Sequence, residues 1–229
     1  MQHLDQDWLF NTLLMLIPLW LSLSVHECAH AWTAWKLGDD TAARLGRLTL
    51  NPLAHIDPVG TLLLPLMGIP FGWAKPVPVQ PQRFRGGVRM RTGMMLVAIA
   101  GPISNLLLAA VCILCFAMLA RFCPTAIARG GERQGWTGIG RLLEMLIFLN
   151  VLLATFIALP VPPLDGSRVA DALMPRPFRP AWEGLCRLGP IALIAVILLP
   201  RLVHFDLFYW PKQGTLFLLC EAVKLFYLF

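Results

Sequence analysis

The sequence predicts an all-α, polytopic membrane protein with about five to six apolar segments and a re-entrant, β-like extended stretch between the first two spans. Two observations carry this reading. Hydrophobic residues make up 57% of the chain and charged residues only 14%, against about 25% charged in a typical soluble domain; the mean hydropathy is +0.67. Apolar runs of membrane-spanning length recur along the chain, separated by short connections with no long polar stretch. Residues 1–229 therefore read as a single integral-membrane domain, with a core over about 8–170 and C-terminal apolar segments over about 185–229.

Span one runs from about Trp8 to Trp35. At 1.5 Å per residue it reaches roughly 42 Å, more than the ~30 Å hydrocarbon core, so it tilts or protrudes. Pro18 is a candidate kink. A polar connection follows, with a strand-like core in Gly46-Arg47-Leu48-Thr49-Leu50 ended by Asn51-Pro52. Val59 to Trp73 is apolar but interrupted by Pro65, Gly68, Pro70 and Gly72, too short and broken for an ordinary span, hence re-entrant or interfacial. In Ala74-Lys75-Pro76-Val77-Pro78-Val79 the alternate prolines keep the chain extended and deny it full sheet pairing, as in an edge strand or a loop. Span two covers about Gly93 to Ala120 and carries small and polar residues at 101–105 that permit close helix approach. Span three covers about Arg141 to Leu159 and ends where Pro160, Pro162 and Pro163 force the chain out of helix. Further apolar segments lie at about Leu185–Leu199 and Thr215–Phe229, the last with Glu221 and Lys224 as an i,i+3 pair.

The net charge is +6. Most lysines and arginines fall on the connections after spans one and three, which places that side in the cytoplasm. The arginines flank apolar spans and form no aromatic-interleaved patch, so nothing points to nucleic acid. The cysteines fall largely within apolar spans and the motif below, and do not make a disulfide framework.

Within span one lies His26-Glu27-Cys28-Ala29-His30. In a helix, residues i and i+4 share a face, about 6 Å apart along the axis. His26 and His30 can therefore grip one Zn²⁺, with Glu27 as general base on a metal-bound water. The bland alternative is a buried polar knot between helices, but ionisable clusters are costly in a membrane-grade apolar stretch and mark functional sites. A catalytic zinc takes three protein ligands. Asp39, Asp40 and Asp57 lie in the first connection; Asp165 follows the proline break at matching depth, which favours it, although an Asp-Gly turn would also explain it. A metal transporter would carry further ligands at successive depths, and the other spans show almost none.

These segments occur in order with Gly46-Arg47-Leu48-Thr49-Leu50-Asn51-Pro52, His55-Ile56-Asp57-Pro58, Gly72-Trp73-Ala74-Lys75-Pro76-Val77-Pro78-Val79, Ala100-Gly101-Pro102-Ile103-Ser104-Asn105 and Pro160-Val161-Pro162-Pro163-Leu164-Asp165-Gly166. Together they resemble the site-2 protease family of intramembrane zinc metalloproteases, most of all its small bacterial branch without PDZ or CBS domains. The resemblance implies one Zn²⁺ held by His26, His30 and Asp165, with Glu27 as base. It implies single-span membrane-protein substrates in a bacterial inner membrane, with the active site toward the cytoplasm. Substrate contacts are expected at Trp73, Lys75, Val77 and Asn105; Asn105 either lines the cavity or bonds a neighbouring helix. His55 is expected to bond backbone in its loop rather than to join the metal. One departure stands out. The family usually carries an Asn eight residues before the metal Asp, thought to hold the substrate or oxyanion, and here that position is Ile157. Ile157 offers no hydrogen bond, which argues for slower or altered catalysis, or for a pseudo-protease that binds substrates without useful turnover.

Overall fold

The computed structural model describes residues 6–67, 72–127, 138–189 and 191–196, with scattered positions from 209 to 221. Helices α1 (Gln6–Lys36), α4 (Met90–Phe122) and α5 (Gly138–Ile157) form the scaffold. The shorter helices are α2 (Thr41–Arg44), α3 (Leu64–Leu66), α6 (Asp165–Leu173) and α7 (Arg179–Leu188). No strand occurs among the described residues, so the strand-like reading of 46–51 is not met: Arg47 is buried there instead. Two of the described helices, α4 and α5, are long and apolar enough to cross a membrane. The expectation of five to six spans is thus met only as an all-helical chain with two such helices.

The side-chain pattern of α4 explains how it packs. Much of its buried face is small, with Gly93, Ala98, Gly101, Ala109 and Ala117, and Phe116 is the large exception. Ile103, Leu106, Leu107, Val111 and Leu114 point outward. In lipid the bulky apolar side chains need no burial in protein, and small residues let helix backbones approach. Against α5, Cys112, Phe116 and Ala120 pack on Leu146 and Ile147. On α1, Leu19 and Leu23 meet Leu149 of α5 and Ala74 of the loop. The fourth expected segment is interrupted: α7 ends at Leu188, Gly189 has φ 43°, and helix resumes at 191–196. The segment Val59–Trp73 begins as helical turns from Pro58 to Leu66, and residues 68–71 lie outside the described residues, as does Lys224.

The connection between α1 and α4 is pinned by buried side chains. Asp39, fully buried, accepts from Thr41 N at 3.1 Å and from Gln80 N at 2.6 Å. Arg47 donates to the Lys75 carbonyl, and Lys75 N donates to the His55 carbonyl at 2.9 Å. These bonds hold residues 72–80, which form neither helix nor strand, against the connection that follows α1, and Val77 N donates to Glu27 Oε2 on α1 itself.

Candidate metal centre

Helical spacing turns His26 and His30 to one side of α1, toward α4, and sets Glu27 about 100° around the axis. His30 Nδ1 lies 2.7 Å from the Val97 carbonyl on α4. A carbonyl only accepts, so Nδ1 carries the proton and Nε2 is left with a lone pair. That Nε2 is 3.0 Å from His26 Nε2. Asp165 Oδ2 lies 3.2 Å from His26 Nε2 and 3.0 Å from His30 Nε2. Ligands of a tetrahedral zinc, about 2.0–2.1 Å from the ion, stand about 3.3 Å apart. The triangle is slightly tighter than that, and its donor set of two imidazoles and a carboxylate is one that Zn²⁺ takes. Among the described residues these three can share one metal ion.

Two glycines make the cradle. A Cβ on Gly101 would lie 2.4 Å from His26 Cε1 and 2.6 Å from His30 Cε1, so α4 can back the two rings only without a side chain there. A Cβ on Gly166 would meet the Ala158 carbonyl oxygen at 2.1 Å. The chain after the proline break therefore folds onto the end of α5, and α6 starts at Asp165 with its carboxylate turned to the imidazoles. Asp165 belongs to this constellation rather than to a bare Asp-Gly turn.

The other aspartates are engaged elsewhere. Asp57 accepts from Val59 N and Gly60 N, and Asp40 pairs with Arg44 and Arg83. His55 bonds the Thr49 carbonyl at 2.9 Å, as its loop position suggested. Glu27 is buried at 9% exposure, and its Oε2 accepts from Val77 N at 2.8 Å. Of the expected substrate contacts, Trp73 and Lys75 are exposed, Val77 is half-buried beside Glu27, and Asn105 is fully buried inside the helices. Sequence reasoning missed the Val97 carbonyl, a backbone group with no residue signature. It read Gly101 only as a helix contact.

Residues 14–197 match the family described as Peptidase family M50. The chain belongs to this family, the site-2 proteases. It is 38% identical over 186 residues to "Putative zinc metalloprotease YwhC" of Bacillus subtilis (strain 168), covering 81% of this chain and 80% of that protein. It is 32% identical over 207 residues to "Putative zinc metalloprotease Rip2" of Mycolicibacterium smegmatis, covering 86% and 72%. The Mycobacterium tuberculosis H37Rv protein of the same name is 30% identical over 199 residues, covering 86% and 72%. No solved structure matches. As an M50 peptidase this chain is a site-2 protease-like intramembrane metalloprotease with zinc as its metal.

Proposed function

We propose that His26, His30 and Asp165 hold the single Zn²⁺, and that Glu27 is the general base in hydrolysis of peptide bonds within or near the transmembrane segments of single-span membrane proteins. The observation that carries this is the convergence of His26 Nε2, His30 Nε2 and Asp165 Oδ2 within 3.2 Å of one another, with Glu27 adjacent on the same helix. Zn²⁺ in such a site acidifies a bound water toward neutral pKa and polarises a carbonyl. Glu27 holds the Val77 N–H on one oxygen and has the other for the proton of the attacking water. It then passes that proton to the nitrogen of the leaving amine.

A transmembrane helix hides each backbone carbonyl in a hydrogen bond, so substrate must unwind before attack. The receiving edge in this reading is the 73–79 stretch. Lys75 N and O and Val77 N all point into the protein, onto His55, Arg47 and Glu27. A period of two is that of extended chain, and it leaves the 74, 76 and 78 carbonyls on the outer edge for an added strand. Trp73, Lys75 and Val77 are the proposed substrate contacts. Asn105 has no exposed surface. The excess of basic residues around the site end of α1 supports a cytoplasmic-facing centre in the bacterial inner membrane.

The direct test is cleavage of a panel of single-span substrates by the purified protein beside Glu27→Gln. Zinc-dependent cleavage lost in Glu27→Gln is the expected result; equal product from both proteins would remove the assignment. A second reading, a pseudo-protease that binds substrate with little turnover, is favoured by one feature. Ile157 is the last residue of α5 and presents no hydrogen-bond donor. Zinc-loaded wild-type protein that binds the panel without cutting it would decide for this reading.

A further inference from the structure

Four buried polar atoms around the metal ligands have no hydrogen-bond partner: His26 Nδ1, Asn105 Oδ1, Asn105 Nδ2 and Asn150 Oδ1. His26 is 4% exposed, and both asparagines are 0% exposed. Buried polar groups in native proteins are paired. These four match in kind. With Nε2 turned to a metal, Nδ1 of a neutral imidazole is a donor; a carboxamide offers one acceptor and donors; Asn150 Oδ1 is an acceptor.

They also match in place. His30 pairs with Val97, and Gly101 lies against the His26 ring, so α1 and α4 run antiparallel in steps of four residues. Extending that register by four residues sets Ser22 opposite Asn105, the next rung. Asn150 of α5 is at that rung too, because its Nδ2 donates to Ser22 Oγ at 2.8 Å. Side chains on a helix lean toward its N-terminus. On antiparallel helices this tilts the His26 ring toward the Ser22–Asn105 rung, and tilts the Asn105 carboxamide back toward Gly101 and the metal ligands. His30 already has its outer partner in the Val97 carbonyl, whereas His26 has none.

We propose that Asn105 is the positioning residue of His26, and that it joins a hydrogen-bonded line from the metal centre across three helices. Asn105 Oδ1 accepts the His26 Nδ1–H and Asn105 Nδ2 donates to Asn150 Oδ1, each across a bridging water, because none of these four atoms makes a direct hydrogen bond. From there the line is already in place: Asn150 Nδ2 to Ser22 Oγ, and the Ser22 hydroxyl to the Pro18 carbonyl at 2.7 Å. The line fixes the tautomer of His26 so that its Nε2 lone pair faces the ion, as Val97 does for His30.

The inference rests on the metal assignment above. Its test is zinc affinity of the full-length protein in detergent, measured by competition with a chromophoric chelator, with Co²⁺ visible spectra alongside. Asn105→Leu keeps the volume and removes the acceptor; about 10–100-fold weaker zinc binding is expected, with unchanged helical circular dichroism. Asn105→Asp keeps the acceptor and is expected to bind at wild-type affinity or tighter. Wild-type affinity in Asn105→Leu overturns the proposal. So does weaker binding by Asn105→Asp, which keeps the proposal exposed if the Leu variant does not fold. Wild-type protein without stoichiometric zinc, or His26→Ala that retains it, overturns the metal assignment instead.

Discussion

Glu27 Oε2 accepts the Val77 N–H at 2.8 Å, so the proposed base and the proposed substrate edge form one hydrogen-bonded unit. Any displacement of the 72–80 segment turns the carboxylate, and the position of Glu27 depends in turn on Asp39, Arg47 and His55, which hold that segment. In the proposed mechanism, docking of a substrate strand and orientation of the base would be coupled through one backbone amide.

Removing that amide hydrogen is predicted to lower kcat. Val77→Pro takes away the donor in a stretch whose neighbours are already prolines, so the backbone tolerates it. A hydrogen bond to a charged group contributes about 1.5–3 kcal/mol, which sets the expected loss at roughly ten- to hundredfold. Val77→Ala keeps the N–H and isolates the side-chain contribution. The measurement is kcat on one substrate at equal zinc content; matching values for the Pro and Ala variants would dissociate the amide from the base.

Glu27→Gln is predicted to retain zinc and lose cleavage. The carboxamide still accepts the Val77 N–H but cannot take a proton from water. Elemental analysis should read one zinc per chain, and product formation should fall to background. Wild-type-like turnover would take Glu27 out of the mechanism.

Asp165→Ala is predicted to release the metal. Two imidazoles 3.0 Å apart then face each other without the carboxylate that completes the triangle. Full zinc occupancy in this variant, by elemental analysis after dialysis against a chelator, would sink the ligand assignment.

The His26–His30 pair of the proposed metal site was legible because its information is local; Asp165 was one of several candidate aspartates, favoured by its depth and then by the family resemblance. His26 and His30 share a helix face by spacing alone, and the prolines before Asp165 end α5 where the carboxylate is needed. Less was legible where the determinant is backbone or tertiary. Val97 contributes a carbonyl that any residue would supply. Residues 46–51 look strand-like by composition, yet Arg47 turns inward to bond the Lys75 carbonyl, a contact across 28 positions that no local pattern encodes. The apolar run Leu185–Leu199 hides a break at Gly189, whose φ of 43° is a conformation hydropathy does not report.

Gly101→Ala is predicted to disable the metal centre. The new Cβ would lie 2.4–2.6 Å from two ring carbons, so α4 or both imidazoles must shift. Overpacking of this kind costs about 1–3 kcal/mol of stability, and the ring displacement adds loss of zinc and of cleavage. Gly184→Ala on α7, with nothing within 4 Å of its Cβ, is the control; there a gain of about 0.5–1 kcal/mol is expected. Thermal melts and zinc content of the pair check it, and a Gly101→Ala protein with normal zinc would show that the cradle has slack.

Ile157→Asn is predicted to raise kcat. Ile157 closes α5 eight residues before Asp165, where the family resemblance places a polar side chain that holds substrate or oxyanion. A Zn²⁺ held by His26, His30 and Asp165 would stabilise part of the developing negative charge without it. A missing oxyanion donor costs about 10²–10³ in rate, so up to ~3 kcal/mol is recoverable. Asn150 offers no ready substitute: it lies about two helical turns, roughly 10 Å, from position 157, and its Nδ2 already donates to Ser22 and to the Leu146 carbonyl. The check is kcat and KM on one substrate for wild type and Ile157→Asn at equal zinc content and equal melting temperature. A rise in kcat with little change in KM identifies the restored group as a transition-state donor. Unchanged or lower kcat in a folded, zinc-loaded variant would mean that this chain stabilises the oxyanion by another route, and position 157 would drop out of the mechanism.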